Sequence, residues 1–508
     1  MMKTDVLIIG AGGAGLCAAL AAKDAGVDVK VITKEYATRS QTCMAQGGMN
    51  AALGNVSEDS IEAHIQNTLK SAHGEANEEA VRYMCSEAPN AVNWLDSIGV
   101  CFSRSENGKI AQRALGGASA PRACYAQDYT GLKILHTLYD RCLQKDIEIL
   151  NERYLLDLLK KEDGSICGAL ILNLRSGEIE HYFAKSVILA TGGYSRIYDK
   201  NSTNSTASTG DGIAAAFRVG AKLLGMEFVQ FHPTGLKNSS ILISESARGE
   251  GGYLLNSKGE RFTNELAPRD EVSRAINAEM LKGEDVFLDV RHLGEAFIKE
   301  NLPQERKLAL LYENVDPLTE LIPIKAVAHY TMGGIEVDNK SQTSISGLFA
   351  CGECANHKVH GANRLGGNSL LEIIVFGREA GKSAANFTLC DDKSKVGFDC
   401  KKEDNFLETM KNYTNEINFY EKRALVGDMF YNKVGIIRRT KELKEAQAEI
   451  QKLKCTLPLM GVKDSSKVYN TNLVEFLEFR NMLDICEAVV AGALQRKKSC
   501  GAHYMEVS

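Results

Sequence analysis

A glycine cluster set between two apolar strands in the first 33 residues restricts this chain more than any other feature. Thr4 to Ile9 reads as a strand, and Gly10-Ala-Gly12-Gly13-Ala14-Gly15 reads as a tight turn. Small residues then form a helix ending near Gly26, and Val27 to Thr33 is a second strand. Gly10, Gly12 and Gly15 fit the G-x-G-x-x-G spacing. The first glycine permits the turn, the second lets backbone N–H groups approach a pyrophosphate, and the third lets helix pack on strand. The helix N-terminus adds partial positive charge. The acidic residue expected about 20 residues further on is absent: Thr33-Lys34 stands there, followed by Glu35. The fingerprint alone therefore leaves FAD and NAD both open, beside the plainer reading of a glycine turn with no ligand.

The strand-plus-glycine signal returns at Ser186-Val-Ile-Leu-Ala-Thr191-Gly192-Gly and at Gly347-Leu-Phe-Ala-Cys-Gly-Glu353. Pieces of one nucleotide-binding sheet thus recur far apart, and another unit must be inserted between them. The sequence predicts an α/β fold: a Rossmann-like domain from residues 1–236 and 327–388, an inserted α+β capping domain from 237–326, and a C-terminal helical domain from 400–508. Within the insertion, Gly251 to Gly259 reads as a hairpin and Asp270 to Met280 as a helix; Arg438 to Lys454 is the clearest C-terminal helix. After Phe387 the composition turns polar through Leu389-Cys-Asp-Asp-Lys-Ser-Lys, marking a break.

With 508 residues, the chain has length for about three domains or one large enzyme. Sixty Lys+Arg against 65 Asp+Glu give a net charge of −5 without a block of like charge, which disfavours nucleic acid and anionic lipid as partners. Fourteen scattered cysteines suit free thiols in a reducing compartment, so the expectation is a cytoplasmic protein. Val6 to Ala22 imitates a signal-peptide apolar region, but Gly10, Gly12, Gly13 and Gly15 argue against that. No other segment approaches the roughly 18 apolar residues that span a bilayer. Any membrane association is expected to come through a partner, peripheral to the inner face of the cell membrane.

Eight further blocks share an order and wording: Arg39-Ser40-Gln41-Thr42-Cys-Met-Ala-Gln46-Gly47-Gly48, Gln112-Arg-Ala-Leu115-Gly-Gly117, Ala190 to Gly193, Gln230-Phe-His232-Pro-Thr-Gly235, Ser244-Glu245-Ser-Ala-Arg248-Gly-Glu-Gly251, Ala267-Pro-Arg269-Asp270, His329-Tyr-Thr-Met-Gly-Gly334, and His360-Gly-Ala-Asn-Arg364-Leu-Gly-Gly-Asn368-Ser369-Leu370. Across nearly its whole length the chain resembles the flavoprotein subunits of the succinate dehydrogenase and fumarate reductase family, which also includes L-aspartate oxidases. The resemblance implies FAD, a domain capping the flavin, and interconversion of fumarate and succinate. It implies carboxylate binding by His232, His329 and Arg364, with Gly47, Leu115 and Ser244 also at the substrate, and proton delivery by Arg269 refilled through Glu245 and Arg248. Flavin contacts carried over by position are Gly10, Gly12, Gly13, Ala14, Gly15, Thr33, Lys34, Ser40, Gln41, Thr42, Gln46, Gly47, Gly48, Thr191, Gly192, Asp211, Glu353, Asn368, Ser369 and Leu370, with a helix over Gly377 to Ala385 aimed at the ring. No metal is assigned. A four-carbon dianion needs cationic and hydrogen-bonding groups at both ends, and its reduction needs a hydride donor on one face and a proton donor on the other. Cys351-Gly-Glu353-Cys354 falls inside the family's flavin segment and is not read as a redox pair.

Three positions depart from the family pattern. Gln41 stands where membrane-bound members carry the His that bonds covalently to FAD, so the flavin is expected to be noncovalent and the enzyme biased toward fumarate reduction. Leu115 stands where aspartate oxidases carry a Glu for the substrate ammonium; an apolar side chain leaves that charge unpartnered, which disfavours aspartate. Cys500 replaces the Arg of a Ser-Arg-Gly-Ala-His stretch, and the chain stops at Ser508, which makes docking of an iron–sulfur partner less secure than the active site. The leading expectation is a fumarate reductase flavoprotein fed by an iron–sulfur subunit. The alternatives are an L-aspartate oxidase and a flavin-carrying electron-transfer subunit without substrate chemistry.

Overall fold

The computed structural model describes residues 2–390, 407, 409–410 and 412–506. The central sheet follows from the N-terminal pattern. Strand Met2–Ile9 pairs in parallel with Val29–Ile32 on one side and with Ile179–Leu189 on the other. Glu148–Leu150 extends the first edge in parallel, and the antiparallel pair Arg153–Lys160 and Ile166–Asn173 extends the second. Ile179–Leu189 has two neighbours on that second side. Its first half pairs with Ile166–Asn173 and its last three residues pair in parallel with Leu348–Ala350. Both recurrent strand-plus-glycine segments therefore join the first strand's sheet, and their glycine turns emerge with the Gly10 turn at the carboxyl ends of adjacent parallel strands. Such an edge is where open α/β sheets bind ligands.

Period-two alternation sorts the first strand between two cores. Val6 and Ile8 pack with residues of helices Gly13–Asp24 and Asn368–Cys390. Leu7 and Ile9 face a core that reaches the C-terminal helices Phe419–Lys433, Thr440–Thr456 and Thr471–Gln495. The two helices on the first face are packed through small residues. A Cβ added at Gly377 would lie 2.7 Å from the Ala14 carbonyl oxygen, and one at Gly381 would lie 2.2 Å from that of Ala18. The uninterrupted helix starts at Asn368, which corrects the expected helical start at Gly377: Gly377 and Gly381 are contact points within it. It also runs through Leu389 to Cys390, where the sequence suggested a polar break; Asp391 to Lys395 lie outside the described residues.

A second, antiparallel sheet has the order Val229–Leu236, Ile322–Thr331, Val286–Asp289, Tyr253–Asn256. Its two longest strands carry His232 and His329. Helix Arg269–Leu281 packs on the first of them, Ser273 Oγ donating to the Phe231 carbonyl at 2.9 Å. The segment read as a hairpin contributes strand Tyr253–Asn256, whose ladder runs with Val286–Asp289, while Leu255 also bridges Arg261. The C-terminal helix expected from Arg438 begins at Thr440, because Arg438 is buried and its guanidinium satisfies the carbonyls of Val434, Gly435 and Glu227. Among the described residues no helix is long and apolar enough to cross a membrane.

Gly381→Ala pushes a methyl group against backbone that a rotamer change cannot move. The expected cost is about 1–3 kcal/mol, typical of an overpacked contact, read as a lowered urea midpoint. A midpoint equal to that of the unaltered protein would show that the two helices are not held at this separation.

Candidate functional site

The strand ends and the second sheet enclose a cleft with about 1680 Å³ of empty space, partly open to solvent. At its base the chain turns at Gly10, whose φ of +111° few other residues adopt. Gly15 must also lack a side chain, since a Cβ there would meet the Gly10 carbonyl oxygen at 1.9 Å. The N-cap residue Gly12 has no side chain to cap helix Gly13–Asp24 and no acid stands in its first turn; Gly13 N–H donates to Thr42 Oγ1 at 3.0 Å. An anion is favoured at such a terminus.

Most of the expected cofactor residues line this one cleft: Gly10, Gly12, Gly13, Ala14, Thr33, Lys34, Ser40, Gln41, Thr42, Gln46, Gly47, Gly48, Thr191, Gly192, Asp211, Glu353, Ser369 and Leu370. Several keep polar atoms without a protein partner. Ser40 Oγ, both side-chain polar atoms of Gln46 and Thr191 Oγ1 are buried and unpartnered, which suits a polar ligand laid along the cleft. Gln41 turns its amide oxygen to the Ser205 N–H at 2.7 Å. Lys34 is committed elsewhere, because its ammonium donates to Asp211 and Glu478 at 2.7 Å each, tying the cleft wall to helix Thr471–Gln495. Burial pushes the Glu353 carboxyl up to about 7, against the hydrogen bonds it accepts from Thr331 N–H and Oγ1.

Two of the expected contacts belong to the scaffold. Gly15 serves helix-on-strand packing. Asn368 turns its side chain into the protein, accepting from Asn50 at 2.8 Å and donating to Thr68 at 3.0 Å, and so anchors the start of its helix.

At the other end of the cleft stand His232, Ser244, Glu245, Arg269, His329 and Arg364, with Leu115 beside Gly47. Glu245 joins three segments: Oε1 accepts the Gly116 N–H at 2.7 Å, while Oε2 accepts from Arg269 Nε at 2.8 Å and from Arg269 Nη2. Burial alone would raise the Glu245 pKa, but the charges of Arg269 and Arg248 hold it down at about 2. Ser244 caps the short helix Glu245–Gly249 through the Ser246 N–H. Arg248 sits behind the cleft lining, donating through Nη1 to the Glu265 carbonyl, with Nε and Nη2 unpartnered. It acts on Glu245 through charge; no hydrogen bond joins the two among the described residues.

Three guanidinium groups, Arg248, Arg269 and Arg364, against the Glu245 carboxylate leave an excess of two positive charges. Burial pushes both Arg248 and Arg364 down to about 10. The histidines add no charge, since burial and then Arg269 hold His232 and His329 well below their ordinary range. His232 Nδ1 accepts the Thr234 N–H at 3.2 Å, so the neutral ring carries its proton on Nε2 and is a hydrogen-bond donor there. His329 lies beside it, ring centroids 4.8 Å apart, with Nδ1 tied at 2.8 Å to Thr203 Oγ1.

Sequence reasoning missed the residues that hold this arrangement. Gln230 accepts from Arg269 Nη1 at 3.1 Å and donates to Asn363 Oδ1 and the Arg364 carbonyl, so it spaces the two arginines. Its place two residues before His232 was the available signal. Arg113 pins the Gln46-Gly47 turn by donating to both carbonyls at 2.9 Å. Ser205 and Ser208, in a polar loop without pattern, also line the cleft. Cys351 and Cys354 are buried thiols pushed up by burial, Cys354 to about 11, unlike reactive thiolates.

The chain matches the family model for an FAD binding domain over residues 5–370 and that for the fumarate reductase flavoprotein C-terminus over 423–507. It is 39% identical to the succinate dehydrogenase flavoprotein subunit of Rickettsia conorii over 99% of this chain and 90% of that one. It is 39% identical to the 8-methylmenaquinol:fumarate reductase flavoprotein subunit of Wolinella succinogenes, over 99% and 85%. A variant quinol fumarate reductase flavoprotein from Escherichia coli superposes with a TM-score of 0.95 at 36% identity, covering 100% of this chain and 92% of that one. An adenylylsulfate reductase from Archaeoglobus fulgidus, 17% identical with a TM-score of 0.81 over 99% and 90%, shares the fold.

In selectively labelled protein, the imidazole ¹⁵N signals of His232 should keep the neutral Nε2–H pattern down to about pH 5.5. A titration midpoint above pH 6 would show that the positive surroundings do not suppress its charge.

Proposed function

The chain belongs to the family of FAD-dependent flavoprotein subunits of succinate dehydrogenase and fumarate reductase, oxidoreductases acting on CH–CH bonds, and within that family we propose that it is biased toward reducing fumarate, with noncovalently bound FAD. The observation that carries this reading is the excess of two buried positive charges beside the neutral His232 donor, the complement of a dicarboxylate, in the same cleft as the glycine turn. Arg364, His232 and His329 bind the two carboxylates. FAD held along the cleft by the glycine turn, Ser40, Gln46 and Thr191 would supply hydride chemistry there. Arg269 donates the proton to one alkene carbon, held at its post by Glu245 and Gln230. Guanidinium ordinarily keeps its proton. Glu245 and Arg248 form the return route for the proton.

Leu115, buried beside Gly47, offers no partner for an ammonium and speaks against L-aspartate as substrate. An iron–sulfur subunit is the proposed electron source, and the chain is peripheral to the membrane through that partner. Residues 237–326 act as the cap, with residues 1–236 and 327–388 as the FAD-binding domain and 400–508 as the helical domain.

The activity is tested anaerobically by reducing the bound flavin and following its absorbance. Fumarate should reoxidise it rapidly and Arg269→Ala should abolish that step, while L-aspartate leaves oxidised protein yellow. Bleaching by aspartate would make the chain an aspartate oxidase; silence with both would make it a carrier without substrate chemistry.

The flavin linkage is tested separately. A glutamine amide forms no bond to the flavin ring, so acid precipitation should release all the flavin to the supernatant. Fluorescence that stays with the denatured polypeptide would mean covalent attachment at another residue.

A further inference from the structure

We propose that Tyr330, held in place by Glu372, is the positioning residue that sets the plane of Arg364 for a substrate carboxylate; this rests on the dicarboxylate reading above. The Arg364 guanidinium lies over the Tyr330 ring, its central carbon 4.4 Å from the ring centroid. Among the described residues its one side-chain hydrogen bond runs from Nη1 to the Leu365 carbonyl at 3.3 Å, and Nε has no partner. A guanidinium carries five N–H donors. Arg364 is buried at the cleft, so most of those donors are spare in a place where spare donors are costly unless a ligand takes them.

A binding arginine has to be held without spending its donors or its charge. A carboxylate partner would do both, as Glu245 does for Arg269. An aromatic face does neither: it fixes the plane of the guanidinium and leaves the N–H edges free for a planar carboxylate. The ring is fixed in turn. Tyr330 donates its hydroxyl proton to Glu372 Oε2, and His360 Nε2 lies 3.0 Å from the same oxygen. His360 stands edge-on to the Tyr330 ring at 5.4 Å, and His357, stacked on Phe376, lies 3.9 Å from Glu372 Oε1. Glu372 belongs to helix Asn368–Cys390, whose first turn lines the cleft, and all of these side chains are buried. Donating to a carboxylate also makes the phenol ring richer in electrons, which strengthens its attraction for the cation.

Steady-state fumarate reduction by the full chain with a reduced dye, together with malonate titration followed by flavin absorbance, tests the assignment. Tyr330→Leu should raise the KM for fumarate and the Kd for malonate about tenfold, with kcat changing less than about threefold, as expected for a desolvated cation–π contact. Tyr330→Phe, which keeps the ring face, should stay within about threefold of the unaltered protein, and Glu372→Gln should fall between the two. Leucine and phenylalanine variants with equal KM would overturn the proposal. So would a Tyr330→Leu variant that loses flavin, or loses more in kcat than in KM, because the ring would then serve only the fold. If the unaltered protein leaves fumarate unreduced, the activity proposed above falls, and the malonate titration still decides whether Tyr330 places Arg364.

Discussion

The buried carboxylate of Glu245 is the interaction on which the site depends. It ties the turn at Gly116 to helix Arg269–Leu281 through hydrogen bonds to the Gly116 N–H and to Arg269. Breaking a buried pair by removing one partner costs about 3–5 kcal/mol, because the remaining charge is left without compensation. Here that remaining charge would be an arginine already near two others. The arrangement therefore couples placement of the second sheet to the electrostatics of the cleft: the segments must come together for Arg269 to be both buried and tolerable.

The same balance explains the neutral histidines. Three guanidinium groups and one carboxylate already leave two positive charges in a poorly solvated region. Protonating His232 would add a third, and its Nδ1 is in any case occupied as an acceptor by the Thr234 N–H. A neutral ring with a fixed tautomer donates from Nε2 without changing the charge of the site. In the proposed reaction the cations would answer the charge of a dicarboxylate, and His232 its geometry.

The sheet was legible because its signals are local. A strand followed within three residues by glycine ends at Ile9, Leu189 and Ala350, and each occurrence reaches the same edge of one sheet. The cleft-lining residues named from sequence lie within or beside those blocks. What escaped was set by distant partners. Asn368 looks like a cleft residue until Asn50 and Thr68, from other segments, claim its side chain. Arg438 looks like the first residue of an exposed helix until the Glu227 carbonyl draws it inside. Gln230 and Arg113 bind no ligand in their own right; they hold other groups in place, and a role of that kind leaves no mark on local periodicity.

Arg269 and Arg364 illustrate how one residue type is given two tasks by its support. Arg269 spends Nε and Nη2 on a carboxylate and Nη1 on Gln230, so its position is over-determined and its charge is shared. That suits the proton-donor role proposed for it, in which a small misplacement would be costly. Arg364 rests on an aromatic face with its donors largely unspent, so its charge stays available to a ligand. Gln230 links the two, accepting from the first and donating to the backbone of the second, and so fixes the spacing between the two arginines. Under the proposed function, that spacing is what a dicarboxylate would be measured against.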